Sequence, residues 1–156
     1  MLRDAVRLPV MFAMQPPLIL LVDNDADNRQ MYAEYLRSRG WRVATCADSQ
    51  WALDVARRRK PDIIVVELRM NGMNGLELLA RLKADPLFAA VPVVALTASV
   101  LSWEWAAANA SDFAQVLSKP CLPDHVADVI TRIVSSSAIA TPPPPAVLHT
   151  AVLTAD

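Results

Sequence analysis

The sequence predicts an α/β fold in which a parallel β-sheet carries helices on both faces. Short apolar segments typical of buried strands alternate along the chain with segments of helical periodicity. This alternation favours right-handed strand–helix–strand crossovers, which build a parallel sheet. Polar residues follow the apolar segments, as expected where the strands of such a sheet end. The predicted strands are residues 18–22, 41–47, 63–66, 91–98 and 114–118.

The first predicted strand is the continuous apolar run LILLV, and two acids follow it. Asp25 and Asp27 favour a helix start because side-chain oxygens cap free amide groups and negative charge suits the helix dipole. Gly40 is expected to end that helix, and the second strand, WRVATCA, comes next. Ser49 is expected to cap a second helix, whose last turn runs into the basic segment 57–60.

The central segment of the chain is Pro61–Gly75, which reads PDIIVVELRMNGMNG. Its largely β-branched run, Ile63–Val66, predicts a strand buried on both faces. That strand ends at Glu67, and glycine and asparagine turn residues follow. A carboxylate there is expected to project into the crevice at the carboxyl edge of the sheet.

The second half of the chain supplies two more strands and three helices. A helix is expected to stop at Asp85, because a proline follows it. A short alanine-rich helix is predicted at Trp103–Asn109, and Pro123 suits the first turn of the final helix. The final helix carries a core-facing apolar stripe, formed by Val126, Val129, Ile130, Ile133 and Val134.

Length and composition limit the possible functions. A chain of 156 residues is most simply one domain. Its formal net charge of -1 supplies no large field for nucleic acid or an anionic membrane, so neither is expected as a partner. No segment approaches the roughly 20 apolar residues of a membrane span, and we expect a cytoplasmic protein. We predict an irregular leader at 1–17, a folded domain at 18–135 and a disordered Ser/Pro-rich tail at 136–156.

Other notable residues are expected to be structural. Cys46 and Cys121 lack metal-ligand spacing and are expected to be reduced. His125 and His149 have no matched partner in the sequence, so no metal or phosphorelay role is expected. The aromatic residues interpreted as packing residues are Tyr32, Tyr35, Trp41 and Trp51.

Four predicted strands end at polar residues of complementary chemistry. Asp23 and Asn24 follow the first strand, and Glu67 follows the third. Thr97 lies near the end of the fourth, and Lys119 follows the fifth. Carboxylates can hold a divalent cation, a hydroxyl can bond a phosphoryl oxygen, and an ammonium can neutralise developing charge. Together these residues predict a small phosphoryl-handling site.

These residues and their flanking motifs resemble the receiver domain of two-component response regulators. The resemblance covers about residues 18–135 through LLVDND...NR, PDIIVVELRMNGMNG, VPVVALTA and LSKP. It implies a flavodoxin-like fold with strand order 2-1-3-4-5. In this family an Asp at the end of the third strand takes a phosphoryl group from a histidine kinase. The implied partner is therefore a histidine kinase or another signalling protein.

The resemblance assigns expected roles to the residues at the strand ends. Glu67 occupies the phosphoacceptor position, while Asp23 and Asn24 occupy the acidic pair that helps to bind Mg²⁺. The backbone carbonyl of Arg69 would be a further metal ligand. Thr97 matches the switch hydroxyl that contacts the phosphoryl group.

The last strand end matches the family as well. Lys119 corresponds to the amine that contacts the phosphoryl group, and the resemblance implies a cis peptide bond between Lys119 and Pro120.

Two departures from the family lie in the reaction centre. Glu67 is one methylene longer than the usual Asp, and Asn24 removes one negative charge. Mg²⁺ needs near-octahedral ligands at about 2.0–2.1 Å, so a weak or absent magnesium site is expected. Phosphoryl transfer is also sensitive, because a misplacement of about 1 Å costs on the order of a hundredfold.

These departures predict a pseudo-receiver that acts through protein contacts. In this hypothesis Glu67 lies near Lys119 and Thr97 and partly mimics the phosphorylated state. One alternative is a Glu67 carboxylate that is only paired with Lys119 and imposes no output state. Another is a receiver that is still phosphorylated, at Glu67 or at Asp23.

A third departure concerns the outer face of the predicted domain. Val116 stands where the family usually has an aromatic switch residue, and Asp112 replaces a common glycine. Trp103 and Trp105 lie two apart on the predicted fourth helix, so they cannot both point inward. An exposed Trp would make the face of the fourth helix, fifth strand and fifth helix a contact surface for a partner or a homodimer. The alternative is a Trp that only covers the sheet edge.

An enzymatic alternative starts from the same first strand. Asp23, Asn24 and Asp25 match the D-x-D motif of haloacid-dehalogenase-like phosphatases. Against this reading, Asp27 occupies the usual Thr/Val position, no acidic pair follows a later strand, and there is no cap insertion. We therefore expect a signalling module rather than an enzyme.

Overall fold

The structure is a computed structural model that describes residues 15–99, 104 and 110–140. Its strands are β1 (Leu18–Val22), β2 (Arg42–Cys46), β3 (Ile63–Val66), β4 (Val93–Thr97) and β5 (Gln115–Ser118). All pairings are parallel, and the order β2-β1-β3-β4-β5 confirms the expected topology. Strands β2, β4 and β5 are slightly shorter than predicted. For β4 the reason is Pro92, which has no N–H to donate to a ladder.

Helices cover both faces of the sheet, as predicted. They are α1 (Ala26–Ser38), α2 (Ser49–Arg59), α3 (Gly75–Ala84) and the C-terminal helix α4 (Pro123–Ala140), and a 3₁₀ turn spans Ala110–Asp112. The predicted alanine-rich helix lies outside the described residues except for Glu104, which is helical. Helix α4 continues past residue 135, where the sequence predicted the folded domain to end.

Helix α2 begins one residue earlier than predicted. Its N-cap is Asp48, whose side chain accepts a hydrogen bond from the Gln50 N–H at 2.7 Å. The predicted cap at Ser49 is therefore wrong. Ser49 is instead fully buried, and its hydroxyl donates a hydrogen bond to the carbonyl of Met73. This contact ties α2 to the loop that follows β3.

Two apolar layers hold the helices against the sheet. Side chains alternate along a strand, so Leu20 and Val22 pack with α2 and α3, whereas Ile19 and Leu21 pack with α1 and α4. Strand β3 is buried along its whole length, which confirms the prediction of a strand covered on both faces. The residues that follow β1 and β3 are therefore held at fixed positions at the edge of the sheet.

The aromatic residues divide into buried and exposed ones. Tyr32 is buried, but Trp51 is 61% exposed, which contradicts its interpretation as a packing residue. The physical reason is that α2 packs on the sheet through Ala52 and Ala56, which turns Trp51 toward solvent.

Cys46 is buried, and both described cysteines are free thiols. Within the described residues, none of the helices combines the length and apolar character needed to cross a bilayer.

Candidate functional site

Four polar residues meet at the carboxyl edge of the sheet. Asp23 follows β1, Glu67 follows β3, Thr97 ends β4 and Lys119 follows β5, as the sequence predicted. Asp23 is 1% exposed and Glu67 is 6% exposed, so both carboxylates lie largely out of water. A cavity of about 250 Å³ opens beside them.

Lys119 joins the two buried carboxylates. Its Nζ lies 2.7 Å from Oδ2 of Asp23 and 3.0 Å from Oε2 of Glu67. Burial of the ammonium lowers the pKa of Lys119, but the hydrogen bonds and charges of Asp23 and Glu67 outweigh this effect, so the pKa is raised above its ordinary value of 10.5. The ammonium therefore stays charged at neutral pH and offsets one of the two negative charges.

The other carboxylate oxygens are bound to the backbone. Oδ1 of Asp23 accepts a hydrogen bond from the N–H of Asp25 at 2.9 Å. Oε1 of Glu67 accepts one from the N–H of Arg69 at 3.0 Å. All four carboxylate oxygens thus have a donor, which compensates for the cost of their burial.

Gly75 fixes the position of the Glu67 backbone. It begins α3, and its N–H donates to the carbonyl of Leu68 at 2.9 Å. A Cβ at this position would lie 2.6 Å from the carbonyl oxygen of Glu67 and 2.8 Å from Cα of Leu68. Only glycine allows the start of α3 to approach the end of β3 this closely.

Thr97 lies in the cluster without joining the charged centre. It is fully buried, and its hydroxyl accepts a hydrogen bond from the N–H of Ser99 at 3.2 Å. Thr97 and Glu67 both lie in the described part of the chain, and no hydrogen bond joins them there. The structure therefore has the expected contact of Glu67 with Lys119 but not a bond to the switch hydroxyl.

A Mg²⁺ ion would have to draw on Asp23, Asn24, Glu67 and the carbonyl of Arg69. The ammonium of Lys119 already contacts an oxygen of each carboxylate. Asn24 is exposed and offers only a neutral amide. In the part of the chain that the structure describes, no three His, Cys, Asp or Glu side chains form a group suited to a metal. This donor set does not fit an ion that requires a near-octahedral shell of oxygen ligands.

Two contacts at the site were missed by reasoning from the sequence. Nη1 of Arg29 donates to the carbonyl of Asp23 at 2.7 Å, and the hydroxyl of Tyr32 donates to the carbonyl of Cys121 at 2.7 Å. Both donors lie on α1, and they hold the segments after β1 and β5 in place. Their spacing along α1 was a usable signal, because residues three apart share a helix face.

The remaining predicted site residues lie away from the charged centre. Val116 is half-buried on β5 and packs against the apolar layer that includes α2 and α3. Asp112 is exposed in the 3₁₀ turn, and the Lys119–Pro120 bond is cis, as expected. Trp103 and Trp105 lie outside the described residues.

The phosphatase alternative depends on Asp25 acting as a second catalytic acid. Its side chain instead accepts a hydrogen bond from the N–H of Asn28 at 2.8 Å and caps α1. Helix capping therefore explains why an acid stands at position 25, and no catalytic role is needed.

Comparisons with known proteins agree with this geometry. The response regulator receiver domain family matches residues 19–131. The "Probable transcriptional regulatory protein TcrX" of Mycobacterium tuberculosis is 34% identical over 84 residues, which are 54% of this chain and 35% of TcrX. The "Uncharacterized 14.6 kDa protein in sodA1 3'region" of Leptolyngbya boryana is 32% identical over 125 residues, covering 80% of this chain and 92% of that protein.

Solved structures of response regulators are also similar to this chain. The chemotaxis response regulator CheY4 of Vibrio cholerae is 25% identical, with a TM-score of 0.69 over 76% of this chain and 98% of that one. A response regulator from Desulfuromonas acetoxidans is 26% identical, with a TM-score of 0.68 over 76% of this chain and 97% of that one. The chain spans about a third of the length of relatives such as TcrX, for which the share is 35%. The family match, the strand order and the residues at the strand ends together show that this chain belongs to the response regulator receiver domain family.

Proposed function

We propose that this chain is a receiver that works without phosphorylation, through contacts with a histidine kinase or another signalling protein. Receiver domains are signalling modules of two-component systems, and they typically bind Mg²⁺ at the phosphorylation site. In this chain the proposed acceptor position carries Glu67. The proposed receiver domain begins at residue 18, and its C-terminal helix continues to Ala140. The proposal is that Glu67 and Lys119 form a permanent ion pair in place of the metal and the phosphoryl group.

The observation that carries this proposal is the position of the Lys119 ammonium between Asp23 and Glu67. An attacking carboxylate oxygen must be held in line with the phosphodonor. The oxygens of Glu67 are instead held by Lys119 and by the N–H of Arg69, one methylene farther from the backbone than those of an Asp would be. The oxygens of Asp23, the other carboxylate that could accept a phosphoryl group, are likewise held by Lys119 and by the N–H of Asp25.

The surroundings of the ion pair favour a receiver that stays in one conformation. They do not favour a Glu67 side chain that imitates a phosphorylated Asp. Imitation requires the hydroxyl of Thr97 to lie on the anion at residue 67, whereas its oxygen instead accepts a hydrogen bond from the N–H of Ser99. Val116 is aliphatic, so it cannot act as an aromatic switch. We propose that partner contacts on this side, including those of Trp103 and Trp105, do not depend on a phosphoryl signal.

Incubation with acetyl phosphate and Mg²⁺, followed by intact-mass measurement, tests the proposal. We expect no added phosphoryl mass and no change in tryptophan fluorescence. A receiver that is known to accept phosphate from this donor serves as the positive control. A stable acyl phosphate on Glu67 or Asp23 would show that the proposal is wrong.

A further inference from the structure

The outer edge of β2 is a groove of about 450 Å³. Among the described strands, β2 ends the sheet and pairs only with β1. The N–H of Arg42 and the carbonyl of Cys46 point toward β1. Because backbone directions alternate along a strand, the backbone groups of Val43 and Thr45 point outward. The carbonyl of Val43 already accepts a hydrogen bond from Arg37, so the edge offers the N–H of Val43 and the backbone groups of Thr45 to an additional strand.

Three arginine side chains line this groove, and no carboxylate lines it. Arg37 comes from the end of α1, and its Nη2 donates to the carbonyl of Val43 at 3.0 Å. Arg58 and Arg59 come from the last turn of α2 and are exposed. Within the described residues, none of the three arginines forms an ion pair. Their positive charge is available to a ligand with carboxylate groups.

The acids near the end of α2 are already engaged by another arginine. Nη1 of Arg57 lies 3.6 Å from Asp54, and its Nη2 lies 3.5 Å from Asp85. Two further cations, Arg42 and Lys60, are exposed at the same end of the sheet. The groove therefore lies in a locally positive region of a chain whose formal net charge is only -1.

An exposed aromatic side chain lies on the same helix face as two of the residues that line the groove. Trp51 is 61% exposed, and it lies four residues before Val55 and seven before Arg58 on α2. Residues with this spacing share one helix face, and Val55 lines the groove. Trp and Arg are both among the residue types enriched at binding hot spots.

We propose that this groove binds an extended acidic segment of a partner protein, which would add to β2 as a sixth strand. Strand addition supplies main-chain hydrogen bonds, and alternate side chains of the added strand face one side. Acidic side chains on that side would contact Arg37, Arg58 and Arg59, while an apolar residue would contact Trp51. A polypeptide fits better than a nucleic acid, because the outward N–H of Val43 and the outward backbone groups of Thr45 match a peptide backbone.

This proposal does not use the chemistry of Glu67 or Lys119. A positive result in the acetyl phosphate experiment would therefore overturn the proposed function and leave the groove unaffected. A failure to bind peptide would in turn leave the proposed function standing.

A fluorescent peptide of alternating Glu and Val residues tests the groove by fluorescence anisotropy. We expect saturable binding that weakens as salt is raised toward about 0.15 M, because exposed charges are then screened. The double variant Arg58→Glu/Arg59→Glu should bind at least tenfold more weakly, and Trp51→Ala about fivefold more weakly. In amide NMR spectra of the native chain, the Thr45 signal should shift on titration.

Controls separate strand addition from general attraction between charges. The charge-matched variant Arg81→Glu/Arg132→Glu, with both changes on other helices, should bind within about twofold of the native chain. A peptide with Pro at alternate positions lacks the N–H groups that a ladder needs and should bind at least fivefold more weakly. Equal binding by the Pro peptide, or tighter binding of a single-stranded oligonucleotide, would overturn the proposal. So would unchanged binding by the Arg58→Glu/Arg59→Glu variant.

Discussion

The ammonium of Lys119 lies 3.0 Å from a carboxylate oxygen of Glu67, and both side chains are more than nine-tenths buried. The same ammonium contacts Asp23, so one cation is paired with two anions. A buried pair of this kind contributes little net stability compared with apolar packing, yet removing one partner is costly because a buried charge is left uncompensated. The charge balance of the site therefore depends on a single lysine.

Replacing Lys119 with Met should lower the free energy of unfolding by about 3–5 kcal/mol near neutral pH, because two buried carboxylates lose their counter-ion. Urea denaturation measures this change. Lys83→Met is the matched control, since Lys83 contacts carbonyl oxygens and no carboxylate within the described residues, and its loss should cost about 1 kcal/mol. Equal losses for the two variants would contradict this role of Lys119.

The double variant Asn24→Asp/Glu67→Asp should gain phosphorylation by acetyl phosphate in the presence of Mg²⁺. It restores an acidic pair and shortens the carboxylate at the end of β3, so that metal and phosphoryl group have room. Intact-mass measurement should detect one phosphoryl group on residue 67. Glu67→Gln, which removes the charge and keeps the length, is the control and should stay unlabelled. Failure of the double variant would show that other residues prevent the reaction.

Stability should fall at alkaline pH. The pKa of Lys119 is raised in the folded chain, so its contribution is complete below the ordinary value of 10.5 and is lost as the pH rises through the folded pKa. Burial also raises the pKa of Tyr32, which gives a loss in the same direction above 10.0. Thermal unfolding of the native chain and of Tyr32→Phe separates the two groups. Tyr32→Phe should keep the part of the decline that is due to Lys119, and Lys119→Met should lose it.

Gly75→Ala should destabilise the fold by about 1–3 kcal/mol, because the new methyl group overlaps the backbone of Glu67 and Leu68. It should also shift the amide NMR signal of Arg69, which is bonded to Glu67. Gly72→Ala is the contrast: its φ of 79° disfavours a side chain, but a Cβ there meets open space. This variant should lose stability and leave the Arg69 signal in place. An unmoved Arg69 signal in Gly75→Ala would contradict the role assigned to Gly75.

Sequence reasoning was most successful where burial is uniform along a segment. The runs LILLV and IIVV are apolar throughout, so β1 and β3 have their predicted bounds. The residues after them, Asp23 and Glu67, could be placed at one edge of the sheet because parallel strands share a direction. Helix α2 was harder, because Ala52 and Ala56 form its buried face while the larger Trp51 is exposed.

Hydrogen bonds between side chains and the backbone of loops could not be predicted in the same way. The alternation of strands and helices brought Lys119 and Glu67 to one edge, but the hydrogen bond of Thr97 with Ser99 depends on a turn within one loop. The buried contact of Ser49 with Met73 likewise joins the start of α2 to the loop after β3, and no periodicity encodes their approach.

Asp23 and Lys119 are separated by 96 positions in the chain. During synthesis on the ribosome, the first strand therefore emerges long before the cation that neutralises it. A nascent chain that stops before Lys119 holds two acids with no counter-charge where a folded molecule would bury them. Completion of this edge of the sheet must consequently wait until Lys119 itself has been synthesised and has left the ribosome.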